Sequence, residues 1–374
     1  MKVLLVGNYE FDGSTSMRIW AKTLLLELSQ RGIDAKLITP KPILGRMKPS
    51  SSGVGKWLGY CDRFLFFPGA LRAAAGQADV VHICDNGGAI YVSRLKDKPV
   101  IVTCHDMLAV RGALGELPDL KASFFGRFLQ RWICRGLQNA SVVACVSQFT
   151  FDDLHRILSG RGNPRLVLNG LNYPYRQISS EEADARLAAL SEIDRPFILH
   201  VGSSHRRKNR DGVLRVFARA CRNTNLKLVL AGRPLSREHL RLADELQIGD
   251  RIIQLPNPHV SIVEALYNRA VALLFPSRYE GFGWPPVEAQ ACGCPVVASD
   301  IPPLAEVIGQ SGLLHSLDDE QGMAFSIQQL ATDPSLREQL RRRGLENVQS
   351  RFGTDRMMKQ YVSLYHEVAC RTKR

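Results

Sequence analysis

The sequence predicts an α/β protein built from two doubly wound parallel sheets. Short β-branched runs recur in two series, with helical or loop segments between them, and a polar, Ala/Glu-rich stretch near Ser179–Asp194 separates the series. Parallel strands covered by helices on both faces read as continuous apolar runs of this kind. The length agrees, since 374 residues exceed one typical domain of about 150 and accommodate two.

The first series is Val3–Val6, Ala35–Ile38, Val80–Ile83, Val100–Thr103, Val142–Val146 and Leu166–Leu168. Between its first two members, Met17–Arg31 sets Leu24, Leu25 and Leu28 at helical spacing and stops at Gly32, where a left-handed cap forms easily. The second series is Phe197–Val201, Leu228–Ala231, Ile252–Leu255, Val271–Phe275 and Val296–Ala298. The expected domains are residues 1–185 and 195–354. Amphipathic helices follow the last strand over Gly322–Leu330, Ser335–Gln349 and Thr354–Cys370, and Arg341-Arg342-Arg343 reads as a solvated face of one of them.

Composition narrows the class. The chain is 45% hydrophobic and 23% charged, an ordinary soluble balance. No apolar run reaches the roughly 18 residues of a membrane span, and Met1–Gly7 is too short for a secretory core, so a cytoplasmic protein is expected. The nine cysteines include no Cys-x-x-Cys, and Cys292-Gly-Cys294 has no histidine nearby, which favours packing over zinc. Lysine and arginine outnumber the acids 49 to 36, an excess of +13 that suits phosphate-bearing ligands, nucleic acid or an anionic membrane. No nucleic-acid module is recognisable, which makes a non-catalytic nucleic-acid binder the distant alternative. Lys56–Phe67 mixes aromatics with cations, the pattern of an interfacial segment or of an ordinarily packed helix.

Ligands of open α/β sheets bind beyond the carboxyl ends of the strands, so the strand-to-helix loops are the place to search. After Val271–Phe275 comes Pro276-Ser-Arg-Tyr-Glu280-Gly281-Phe282-Gly283-Trp284-Pro285-Pro286-Val287-Glu288. The glycines allow close approach of a ligand, and a helix N-terminus beginning at the prolines favours an anion such as a diphosphate. Glu280 and Glu288 would repel that diphosphate, and read better as acceptors for sugar hydroxyls on either side of it. Gly202-Ser-Ser-His-Arg206-Arg207-Lys208-Asn209 follows another strand, where three consecutive cations can neutralise two phosphates and the charge on a leaving diphosphate. The first loop, Val6–Thr15, contains Gly13 but lacks the Gly-x-Gly-x-x-Gly spacing of dinucleotide binders. Thr103-Cys-His105-Asp106 ends a strand with a histidine that is structural or functional.

Taken together, Phe275–Ser299 with its Glu280-x7-Glu288 spacing, Gly202–Asn209, Thr103–Asp106 and Val167-Leu-Asn-Gly170 resemble the family 4 glycosyltransferases, retaining enzymes with the two-domain GT-B fold. The resemblance spans nearly the whole chain. It implies two Rossmann-like domains facing each other across a cleft, the first for the acceptor and the second for a nucleotide-sugar donor, with a final helix over about 355–374 returning to the first. It assigns Glu288 to the donor ribose, Glu280 to hydroxyls of the transferred sugar, and Arg207 with Lys208 to the diphosphate. His105 would sit beside the donor sugar, Gly13 would give the first loop room near the phosphates, Gly202 and Gly281 would belong to the donor-binding set, and amides around Phe282 and Gly283 would complete the clamp. Arg206 competes with Arg207, which is preferred because it directly precedes Lys208-Asn209. No metal and no cofactor are expected, and no Asp-x-Asp occurs in the sequence.

The implied activity is transfer of a hexose from GDP-mannose or a UDP-sugar to a sugar or lipid-linked acceptor in cell-surface polysaccharide or glycolipid synthesis. The place of action is the cytoplasm or the inner membrane face. The first rival is a nucleotide-sugar epimerase or phosphorylase on the same fold. Asp12-Gly13-Ser14 in the first loop and Trp284 in the second depart from the common family pattern, which leaves the sugar and the acceptor open.

Overall fold

The computed structural model describes residues 1–371 except 14, 51 and 195, and the backbone alone at Thr15 and Asn223. Ser14 of the first loop and the end of the expected last helix therefore lie outside the described residues. The chain forms two compact units, Met1–Tyr173 with the described part of Thr354–Arg374, and Pro174–Gly353.

In the first unit, β1 (Lys2–Val6), β2 (Asp34–Ile38), β3 (Val80–Ile83), β4 (Val100–Cys104), β5 (Val142–Cys145) and β6 (Pro164–Leu166) pair in parallel in the order β2-β1-β3-β4-β5-β6. The central strands β3, β4 and β5 are buried at every residue, as a sheet covered on both faces requires. One core layer joins Leu4, Val6, Val81, Ile83, Val102 and Val143 to Leu71, Ile133, Leu137 and Leu154 from the covering helices.

The strand expected at Leu166–Leu168 lies two residues earlier, paired Val143↔Pro164 and Cys145↔Leu166. It is an edge strand, where a proline at the first position costs no ladder bond and exposed Arg165 is tolerated, so an apolar-run criterion started it late.

The helix Thr354–Arg371 belongs to this unit. Its Tyr365 hydroxyl meets His82 Nδ1 at 2.7 Å, His82 Nε2 meets Thr103 Oγ1 at 2.8 Å, and Thr103 Oγ1 meets the Tyr361 hydroxyl at 2.9 Å. Burial lowers the His82 pKa to about 3, so the ring is neutral and can both donate and accept along this chain. At the start of the helix Thr354 lies so near Gly170 that a Cβ there would approach its Cα to 2.8 Å, which requires glycine.

The second unit holds β7 (Phe197–Gly202), β8 (Lys227–Gly232), β9 (Ile252–Pro256), β10 (Ala272–Phe275), β11 (Val296–Ser299) and β12 (Leu313–His315), all parallel in the order β12-β11-β10-β7-β8-β9. The strand β12 was not expected. It is a three-residue edge strand, only partly buried and without β-branched residues, so it carries little of the signal that marked the others.

The passage between units falls at Tyr173–Pro174, earlier than the expected 185–195. The polar stretch read as a junction contains a helix, Ser180–Leu187, that docks in the second unit. Arg186 pairs with buried Glu264 at 2.6 Å, and the Arg176 and Ile178 amides donate to Glu264 at 3.1 Å and Asn268 at 3.0 Å. Its polarity serves these bonds.

Candidate functional site

The chain of the second unit begins in mid-sheet at β7, runs outward through β8 and β9, then returns to the other side of β7 as β10. The loops after β7 and β10 leave their strands in opposite directions, which opens a crevice at the carboxyl ends. These are the two loops richest in chemistry. The first turns through Arg206–Lys208 and reaches Asn209 in the left-handed conformation at φ 52°, from which the helix Arg210–Ala220 starts. The second runs to Gly283 at φ 108° and into the helix Trp284–Ala291. The Arg278 amide donates to the Arg207 carbonyl at 2.7 Å and the Arg278 guanidinium to Asn209 Oδ1 at 3.0 Å, so each loop fixes the other.

Glu280 lies between the expected cations. Arg207 Nη1 donates to its Oε2 at 2.7 Å and Lys208 Nζ to its Oε1 at 2.6 Å. Both Glu280 and Lys208 are 6% exposed, and the ammonium also lies over the Phe275 ring, 4.4 Å from its centroid. Burial alone would raise the Glu280 pKa, but Lys208 and Arg207 outweigh it and hold the carboxyl below its usual range. Burial lowers Lys208 to about 8 against the opposing pull of Glu280. The resemblance assigned Glu280 to sugar hydroxyls; in the structure each of its oxygens also accepts from a cation. Arg206 is exposed, and of the two competing arginines it is Arg207 that reaches Glu280.

Glu288, also buried, accepts from the Tyr267 hydroxyl at 3.0 Å, and its charge is felt at Lys208. Pro285 and Pro286 follow the first helical residue, Trp284. Prolines carry no N–H, so this helix end offers fewer amides to an anion than a helix start ordinarily does, and the donors move back to the Gly281–Trp284 segment. At Gly283 a Cβ would stand 2.7 Å from Leu304 Cδ2, so close packing as well as positive φ demands glycine. Gly202 closes β7, and a Cβ there would stand at ordinary contact distance from His200 Nε2, 3.5 Å, and the Lys208 stem, 3.6 Å.

Two buried groups beside this cradle escaped the sequence reading. His200, inside β7, donates Nδ1–H to the Leu274 carbonyl of β10 at 3.0 Å, and burial lowers its pKa to about 4, leaving Nε2 a neutral acceptor. Arg210, 3% exposed, gives its guanidinium to the Gly202 and Pro234 carbonyls at 3.0 and 3.2 Å. One is hidden in an apolar run and the other opens a helix, so neither position signals a site. Beyond β9, Asn257 takes a left-handed turn at φ 46° and donates to the Gly232 carbonyl.

The remaining nominated residues belong to the first unit. Gly13 caps a short turn at φ 79°, and among the described residues no atom beyond its chain neighbours lies within 4 Å of where a Cβ would be, so its backbone conformation calls for glycine. The Asn8 amide reaches Asp85 at 2.9 Å, tying the loops after β1 and β3 at the switch point of that sheet. His105, directly after β4, donates from Nε2 to the Cys84 carbonyl at 3.0 Å and meets the Trp20 ring edge to face at 5.0 Å. Burial lowers its pKa, which favours the neutral ring. Trp20 is in turn held by Asn169 Oδ1 at 3.1 Å.

Paired doubly wound units, one with a cation cradle at its switch point, define the class as a GT-B enzyme. Residues 184–347 match the family described as glycosyl transferases group 1, and residues 18–173 the one described as glycosyltransferase family 4. The chain belongs to the group 1 glycosyltransferases of the GT-B fold, and it is an enzyme of that class. It is 26% identical over 239 residues to N-acetyl-alpha-D-glucosaminyl L-malate synthase of Bacillus anthracis, a match spanning 62% of this chain and 61% of that relative. It is 28% identical to O-antigen chain mannosyltransferase B of Escherichia coli over 71% of this chain and 69% of the relative. The Anabaena protein HepE, solved with UDP and glucose, has the same fold, with a TM-score of 0.75 at 18% identity over 98% of this chain and all of that one (100%).

Proposed function

We propose that this chain is a retaining, metal-independent hexosyltransferase that takes its sugar from a nucleotide diphosphate, GDP-mannose or a UDP-sugar, and passes it to a sugar or lipid-linked acceptor of a cell-surface polysaccharide or glycolipid. The observation that carries the reading is the Arg207–Glu280–Lys208 cradle at the switch point of the second sheet. Two cations held by one buried carboxylate are prepositioned for a diphosphate, and they stabilise the negative charge that grows on it as the bond to the sugar breaks. They supply the charge that a divalent ion supplies in other transferases.

Glu280 keeps lone pairs for hydroxyls of the transferred sugar while it orients both cations. Glu288, fixed by Tyr267, takes the ribose hydroxyls. The Gly281–Gly283 amides complete the clamp, Gly13 and Gly202 keep their loops open, and His105 contacts the transferred sugar. The leaving phosphate accepts the acceptor's proton on the face it departs from, so the anomeric configuration is kept. The names of the E. coli relative and of the HepE complex support the hexose and the nucleotide, respectively.

The test is incubation of the purified protein with labelled GDP- and UDP-sugars and mixed glycan and glycolipid acceptors. A labelled product with the donor's anomeric configuration is expected, in the presence of a chelator. An epimerised donor with no acceptor product, or an inverted linkage, overturns the proposal.

A further inference from the structure

The first unit carries a ladder of aromatic rings on its surface, within and beside the Lys56–Phe67 segment and built from none of the residues nominated for the donor site. It is built by the helix Gly53–Cys61, the turn that follows it through Phe66, and the helix Phe124–Asn139. Trp57 meets Phe125 with ring centroids 4.9 Å apart, Phe125 meets Phe128 at 6.4 Å, and Trp57 meets Tyr60 at 5.6 Å. Tyr60 stacks on Phe64 at 5.2 Å, and Phe64 meets Trp132 at 5.6 Å. The Trp132 end is partly buried, whereas Phe124, Phe128 and Trp57 are 82%, 56% and 52% exposed, with Leu65 and Phe66 also exposed. A contiguous apolar face of this kind marks an interaction surface.

Along the two helices that carry it, the exposed charge has one sign. Lys56 and Arg63 lie 5.7 and 6.0 Å from the Tyr60 ring, and Arg127, Arg131 and Arg135 are exposed on the second helix, which carries no acid. The acid of residues 53–76, Asp62, is turned inward to the Ile43, Leu44 and Gly45 amides and the Tyr9 hydroxyl. We propose that this face docks on an anionic lipid bilayer. Trp57, Phe124, Phe125 and Phe128 enter the boundary between headgroups and acyl chains, and the cations meet lipid phosphates. Charge selects this occupant over a second copy of the chain, which would bring the same positive face. No helix among the described residues is long and apolar enough to cross a membrane, so the contact is peripheral.

The experiment is co-sedimentation of the full chain with phosphatidylcholine vesicles, with and without about 30 mol% phosphatidylglycerol, at low and high salt. Binding to the anionic vesicles alone, reversed by salt, is expected. Phe124→Ser with Phe128→Ser should lower the partition coefficient by at least roughly tenfold, and Arg127→Gln with Arg131→Gln by roughly fivefold per arginine. All four positions are exposed, so the variants should keep the parent's melting temperature and its response to nucleoside diphosphates. Absence of binding to anionic vesicles at low salt overturns the proposal. So does binding that the aromatic variants leave unchanged, or a concentration-dependent dimer that they abolish while vesicles are ignored.

Discussion

At the scale of single residues, the proposed function makes donor binding depend on pH through Lys208. Its pKa of about 8 in the unliganded chain reflects burial only partly offset by Glu280, and a diphosphate adds the negative charge that draws the lysine back toward its ordinary value. Above about pH 8 the ligand must therefore bind together with a proton, and Kd for UDP or GDP should rise toward tenfold per pH unit. Titration calorimetry at several pH values checks this; Lys208→Arg, charged throughout, should flatten the curve. Glu280 contributes in the opposite direction. Its folded pKa lies below the unfolded one, so its stabilisation is present above the ordinary carboxylate value and is lost as pH falls through the folded value. Glu280→Gln leaves two cations without their shared partner, one of them deeply buried, a loss of about 3 kcal/mol or more by the usual cost of breaking a buried pair. Thermal melts should show a lower midpoint that a nucleoside diphosphate partly restores. Glu288→Gln should instead weaken donor binding, with a smaller change in stability.

At the scale of elements, the loop from β10 into the helix Trp284–Ala291 depends on Gly283. An alanine there meets both an unfavourable φ and the Leu304 methyl, and Gly283→Ala should destabilise the protein by about 1–3 kcal/mol and raise the donor KM, readable by urea unfolding and steady-state kinetics. The glycine was legible in the sequence because it lay in a Gly-rich loop after the apolar run Val271–Phe275. Strands buried on both faces were legible from their composition: β5 is apolar throughout, and β3 is apolar but for His82. Edge strands were not. β6 opens with Pro164 and Arg165, and β12 is three partly buried residues, because a strand paired on one side obeys weaker rules of composition. The Arg207–Glu280 ion pair was equally hidden. Its members are 73 residues apart and meet only because the return from β9 places β10 beside β7. Residue types suggested a phosphate site; pairing, protonation and the hydrogen bonds of His200, Arg210 and Tyr267 required the fold.

At the scale of the whole molecule, chain order and spatial order disagree. The first unit takes its last helix from the end of the described chain, after the whole second unit has passed. Removing the Tyr365 hydroxyl strands His82 Nδ1 in a dry interior, so Tyr365→Phe should cost about 1–3 kcal/mol, seen as a melting midpoint lower by several degrees with kinetic constants little changed. Deleting residues 354–374 is a harsher version of the same experiment and should leave the first sheet with Trp20, His82 and Thr103 uncovered, detectable as dye binding and aggregation. The final helix also sets a timetable for synthesis. While the ribosome translates residues 174–353, the sheet made first waits with an open flank, and Tyr361 and Tyr365, made only after the whole second unit, close it. Folding of the first unit is thereby coupled to synthesis of residues 354–371, and a chain cut short after its second unit is exposed to the proteases and chaperones that recognise unfinished cores.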